Sequence, residues 1–205
     1  KFIRRAYLRV IGRLPKPVEV RAFLADSSSD KRSRLVDKLL QRPEYGDFWA
    51  NKWADLLRPN PYRVGIKAVW TLDAYLRKSF RKNVPYDQFV RLQIAGDLIA
   101  ETSAKTDPQA RTALDAVAAT GFLVAGPFTT QQTQKERERS RYEQLDDIVH
   151  TLGTSLLGLT VGCARCHSHK YDPLPQSDYY RFVSCFKEVG FGNTNLNLEP
   201  EAFQA

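Results

Sequence analysis

The stretch "LLGLTVGCARCHSHKYDPLPQSDYYRF", Leu156 to Phe182, decides how the chain reads. It opens on the apolar end of a helix-like segment and closes on an amphipathic one. Between them lie two cysteines, two histidines, a lysine, a tyrosine and an aspartate. Upstream, Thr133 to Leu157 is the longest predicted helix, polar over "QKERERSRYEQ" and apolar over "IVHTLGTSLLGL". Downstream, "QSDYYRFVSCFKEV" is predicted as one more amphipathic helix, with Ser177 or Asp178 as its N-cap. The tail "GFGNTNLNLEPEAFQA" reads as loop.

Helical spacing recurs further out. "FIRRAYLRVIG" sets Phe2, Ile3, Tyr7, Val10 and Ile11 near one stripe. "KPVEVRAFLAD" carries Pro17 where a first turn tolerates proline. "SSDKRSRLVDKLLQ" offers Ser29 or Asp30 as an N-cap. "RPEYGDFWANKWADLLR" spaces Trp49, Trp53, Leu56 and Leu57 helically, and "VPYDQFVRLQIAGDLIA" and "DAVAATGFLVAG" extend the pattern. "ETSAKTDPQ", Glu101 to Gln109, is expected to be a surface loop. Nothing alternates as a strand should, and no segment repeats. The expected fold is all-α: one irregular multi-helix domain over residues 1–205, with tryptophans and tyrosines in its core.

Composition sets outer limits. With 42% hydrophobic residues in 205, the chain can bury a core unaided. Its net charge of +8 reads first as a solvated surface, and second as a basic face for an acidic redox partner protein or an anionic surface. Nucleic acid fits less well, because the cations look dispersed among acids. No run approaches the roughly 18 apolar residues of a membrane-spanning helix. No signal peptide is visible, yet the abrupt start suggests an excised piece, so export stays open.

Cys163-Ala164-Arg165-Cys166-His167 fits C-x-x-C-H, the attachment signature of c-type haem. Two thiols at this spacing add across the haem vinyl groups, and the adjacent histidine ligates the iron. Zinc completed by His167, His169 or Cys185 is a competing reading, but a second ligand pair is missing. A thiol–disulfide pair lacks its usual strand-to-helix setting, and a pair of small buried residues is the plainest alternative. The spacing favours one covalent haem c, attached near the C-terminal part.

The far side of the iron is less determined. The chain contains no methionine, which excludes His/Met ligation within this polypeptide. His169 lies two residues beyond His167, only about 7 Å of extended chain, and reads as a hydrogen-bonding group beside the haem. His150 is the other metal-ligand candidate. It precedes Cys163 by thirteen residues, about 20 Å if the helix is continuous, unless Gly153, Gly158 or Gly162 breaks it. Arg165, Lys170 and Arg181 are candidate propionate partners or ordinary surface cations. Tyr171, Tyr179 and Tyr180 either pack on the haem edge or fill the core. Asp172-Pro173 reads as a turn, and Cys185 as a small buried residue.

The opening stretch resembles the core motif of the planctomycete-type cytochrome c-like family, a domain of unknown function in large exported proteins. "FIRRAYLRVIGRLPKPVEVRAFLAD", "RLVDKLLQRPEYGDFWANKWADLLR" and "NVPYDQFVRLQIAGDLI" are similar to further family segments. Ser168 stands where the family pattern has aspartate. The resemblance implies an exported, periplasmic or extracellular, haem-bearing module or subunit of a larger protein. The expected role is electron transfer through that haem. The alternatives are a peroxidase-like haem oxidoreductase and a structural subunit of an extracellular homo- or hetero-oligomeric assembly.

Overall fold

A hydrophobic stripe that returns every three to four residues can be buried only by another helix, and the chain is built from such stripes. The computed structural model describes residues 1–106, 111–126, 133–190 and 192; among them are ten α-helices and no strand. The first three are α1 (Phe2–Val10), α2 (Pro17–Ala25) and α3 (Lys31–Leu40). They enclose a small core of their own: Ile3, Tyr7, Ile11 and Leu39, flanked by Val20, Phe23 and Leu35. Pro17 begins α2 as expected. Asp30 holds the N-cap position of α3, but its carboxylate pairs with Arg34 at 3.3 Å rather than capping.

The main core is larger. It joins α4 (Pro43–Leu57), α6 (Ile66–Arg81), α7 (Tyr86–Thr106), α8 (Arg111–Ala119), α9 (Gln134–Leu152) and α10 (Gln176–Cys185), with α5 (Pro61–Val64) as a short connector. Helix α4 packs on α6, α7 on α8, and α9 on α10. At the centre, Phe89 meets Trp53 edge-on at 4.8 Å and stacks on Tyr75 at 6.0 Å. Helix α7 kinks at Ala95, whose backbone (φ −136°, ψ 29°) leaves the helical region.

Tyr45 of α4 packs against the α1–α3 core, and Arg42 binds Glu19 of α2 and Glu44 of α4 at 3.0 and 2.6 Å. These contacts join the two parts of the fold. The division also sorts the charge. Residues 1–42 carry twelve Lys and Arg against four Asp and Glu, a net +8, whereas residues 43–205 carry nineteen of each. The cations that look dispersed along the chain are therefore concentrated, in excess, on one structural unit.

Several expectations need correction. Helix α6 has no counterpart in the sequence reading, because exposed Ile66 and Trp70 mask the inward stripe of Leu72, Tyr75, Leu76 and Ser79. Trp70 is 70% exposed, so the tryptophans are not all core. Glu101 to Thr106 continue α7 instead of forming a loop, and residues 107–109 of that expected loop lie outside the described residues. Pro175 is the N-cap of α10, which places Asp178 inside its first turn. Cys185 is exposed. The inward stripe of α10 runs through Tyr179, Phe182, Val183 and Phe186, and a residue six positions after Tyr179 points elsewhere. Nearly all of the expected C-terminal loop lies outside the described residues.

Candidate functional site

The site is made by a reversal. Helix α9 starts with a capping box, in which Thr133 accepts from the Glu136 backbone and Glu136 accepts from the Thr133 backbone at 2.7 Å. The helix loosens into a π turn, Gly153–Leu157, and Gly158 then adopts a left-handed φ of 66°. The chain folds back on the helix it has just left, with Leu159 N–H donating to Gly153 O at 2.9 Å. Close approach is possible because residues 153 and 162 lack side chains. A Cβ on Gly153 would lie 2.8 Å from Val161 Cγ2 and 2.9 Å from Leu159 O; one on Gly162 would lie 2.7 Å from His150 Nδ1. The 20 Å helical separation considered for His150 and Cys163 therefore does not arise. The break falls at Gly158, and the exposed His150 ring lies against the residue preceding Cys163.

The returning chain forms a 3₁₀ turn, Val161–Arg165. Cys163 lies within this turn, and Cys166, three residues on, is its C-cap (φ −101°, ψ −28°). Buried Val161 and Ala164 hold the inner side of the turn while both cysteines remain exposed and free. His167 is also exposed, with Nδ1 2.7 Å from Ser168 O. A carbonyl only accepts, so the proton sits on Nδ1 and the lone pair is on Nε2.

His169 stands in different surroundings. Its side chain is 7% exposed and both ring nitrogens are occupied. Nδ1 accepts from the Asp172 and Tyr171 backbones at 2.9 and 3.2 Å, which fixes the proton on Nε2, 2.8 Å from Thr160 Oγ1. His169 N–H donates to Leu174 O at 2.8 Å. The Thr160–His169 bond thus closes the base of a loop that carries Cys163, Cys166 and His167. Asp172 lies in the turn, and its carbonyl accepts from Leu174 N–H at 2.7 Å.

Arg165 secures the turn from below. Its guanidinium donates to Asp146 of α9 at 2.9 Å, and its carbonyl accepts from Gln176 and Tyr180 of α10 at 3.0 and 3.1 Å. Asp146 also accepts the hydroxyl of buried Tyr179. Burial, and then the Asp146 carboxylate, push that phenol above its ordinary range. Arg165 is thus engaged within the protein, and Arg181 pairs with Asp178 at 3.0 Å. Lys170 lies over the ring of Tyr171 at 5.1 Å, and Tyr171 is 82% exposed. The sequence reading missed Asp146, Thr160 and Gln176. Only Asp146 carried a signal: a carboxylate beside the buried Leu145, Ile148 and Val149.

The donor set suits covalent haem: two exposed, free cysteines three residues apart, followed by an exposed imidazole whose lone pair is on Nε2. It suits zinc poorly, since among the described residues no three His, Cys, Asp or Glu side chains converge as a metal site. A cavity of about 240 Å³ lies elsewhere, lined by residues that include Leu57, Arg58, Asn60 and Asp147, so the motif is a surface feature.

No curated protein and no solved structure matches the chain. Residues 1–190 match PSCyt2, described as "Protein of unknown function (DUF1549)". With its match running from α1 through the cysteine turn and α10, the chain belongs to the PSCyt2 family.

Proposed function

We propose that the chain is an exported c-type haem protein that transfers electrons through one covalently bound haem. The observation that carries this reading is the 3₁₀ turn with exposed, free Cys163 within it and Cys166 at its C-cap, followed by exposed His167, whose contact with Ser168 O leaves the lone pair on Nε2. When bound, the haem supplies a one-electron iron couple. Cys163 and Cys166 would tether it through thioethers, and His167 would ligate it through Nε2. Ser168 O holds the imidazole in the ligating tautomer. Arg165, Asp146 and Tyr179 keep the turn in place, and His169 with Thr160 closes its base. His150, against Gly162, is the nearest placed candidate for influencing the iron from α9. Lys170 is the cation beside the motif that has no carboxylate partner among the described residues, and with Tyr171 it is placed to meet a propionate or an acidic redox partner.

Co-expression with a cytochrome c maturation system tests the reading. The product should be one haem heavier than the polypeptide and give a pyridine haemochrome spectrum. Cys163→Ser and Cys166→Ser should each alter that spectrum, and the double variant should carry no covalent haem. A mass equal to the bare polypeptide under maturation would refute the proposal.

A further inference from the structure

The excess charge on residues 1–42 has a specific setting. The α1–α3 unit has its own core and is joined to the rest through α4, so its outer faces are presented as a unit. Three of its four acids are already engaged: Glu19 with Arg42, and Asp26 and Asp30 with Arg34. By contrast, Arg4, Arg5, Arg9 and Arg21 are exposed and have no ion-pair partner among the described residues. On α1, Arg4, Arg5 and Arg9 surround exposed Leu8 on the side opposite Ile3 and Tyr7.

Helix α2 adds an apolar component. It buries no residue fully, although most of its nine residues are apolar. Its outward arc holds Val18 (62% exposed) and Leu24 (71% exposed) on either side of Arg21, and Leu14 (62% exposed) precedes it. On this unit the exposed apolar side chains are neighbours of arginines that have no ion-pair partner among the described residues. A soluble polyanion would use the cations and leave the apolar groups without a role. A lipid interface uses both, with phosphates meeting guanidinium groups and the apolar side chains entering the headgroup boundary.

We propose that the α1–α3 unit is a docking surface for an anionic lipid membrane. The chain would lie on that surface rather than cross it; no described helix is long and apolar enough to span one. The cysteine turn belongs to the other core, so docking through α1–α3 leaves it accessible. The proposal does not depend on haem, because no residue it uses lies in the motif.

Vesicle co-sedimentation tests it, with phosphatidylglycerol/phosphatidylcholine vesicles compared against phosphatidylcholine alone. The full chain should bind only the anionic vesicles, and less as the Debye length shrinks from about 10 Å at 0.1 M salt to about 3 Å at 1 M. One arginine near an anionic surface corresponds to about fivefold in partitioning, so Arg4→Gln/Arg5→Gln/Arg9→Gln should weaken binding about a hundredfold. The matched control Lys135→Gln/Arg137→Gln/Arg139→Gln removes three exposed cations from α9 and should change it less than about twofold. Val18→Ser/Leu24→Ser should lose about tenfold through apolar area alone. Circular dichroism checks that each variant is folded. Failure to bind anionic vesicles, or equal losses from the α1 and α9 variants, would overturn the proposal. So would binding unaffected by Val18→Ser/Leu24→Ser, which would assign the face to a soluble acidic partner.

Discussion

Asp146 is expected to hold the cysteine turn against the core, and removing it separates two effects that differ in size. Asp146→Ala breaks the pair with Arg165, whose side chains are 50% and 29% exposed; a pair this open contributes about 0.2–1 kcal/mol. It also leaves the Tyr179 hydroxyl without its acceptor in a residue 3% exposed, which costs about 1–3 kcal/mol. The sum is about 2 kcal/mol, or about 4–8 °C in Tm for a chain of this size. Tyr179→Phe removes the donor itself, so Asp146→Ala introduced into that background should cost only the exposed pair, under about 1 kcal/mol. A thermal-denaturation double-mutant cycle should therefore give a coupling of about 1–2 kcal/mol between positions 146 and 179. Additivity within about 0.3 kcal/mol would show that Tyr179 does not depend on Asp146 and would remove the physical account of the turn's anchoring.

Further outcomes follow from the same geometry. Gly153→Ala brings a Cβ against Leu159 O and Val161, an overpacking cost of about 1–3 kcal/mol set against a helix-propensity gain of up to about 1 kcal/mol, so Tm should fall. Gly162→Ala meets only the ring of exposed His150, so Tm should hold while the His150 imidazole NMR resonances move; a large loss of Tm would contradict the contact. Burial pushes the Tyr75 phenol up to about 12, and burial with Asp146 raises Tyr179. Both remain protonated in the fold when the unfolded chain ionises near pH 10, so their contribution is complete below pH 10; that of Tyr75 is lost as pH climbs through about 12, and that of Tyr179 at strongly alkaline pH. Burial and Glu19 raise the Tyr7 phenol as well, so tyrosinate absorbance should show three late-titrating phenols, and nine titrating alike in folded protein would contradict this. Hydrogen bonding to Arg42 holds the Glu44 carboxyl down to about 2 from its ordinary 4.5. That stabilisation is present above pH 4.5 and lost toward pH 2. Arg42→Ala should therefore flatten the acid limb of the stability curve by about 1 kcal/mol, reflecting a pair about one quarter exposed.

Much of the helical plan is legible where a stripe is continuous. Ile3, Tyr7 and Ile11 are spaced as the first core requires, and Pro17 lies where α2 begins. Legibility fails where local sequence and burial disagree. Ile66 and Trp70 face outward on α6 and conceal its inward residues, and Cys185 is apolar in type yet lies off the stripe of α10. At the site, the spacing of Cys163, Cys166 and His167 could be read directly, because a turn brings residues three apart together. Asp146, 19 residues from its partner Arg165, could not.

The sequence alone determined the helical class, the C-x-x-C-H grouping and the absence of methionine, since each depends on residue type or near-neighbour spacing. Tertiary structure decided what those residues face. It folded the chain back at Gly158, bringing His150 to Gly162, and gave His167 and His169 opposite surroundings despite their separation of two residues. It also divided the core after α3, so that a charge dispersed along the chain becomes a net +8 on one unit. Spacing along a chain fixes which neighbours can meet within a turn, whereas burial and long-range pairing depend on how whole helices pack.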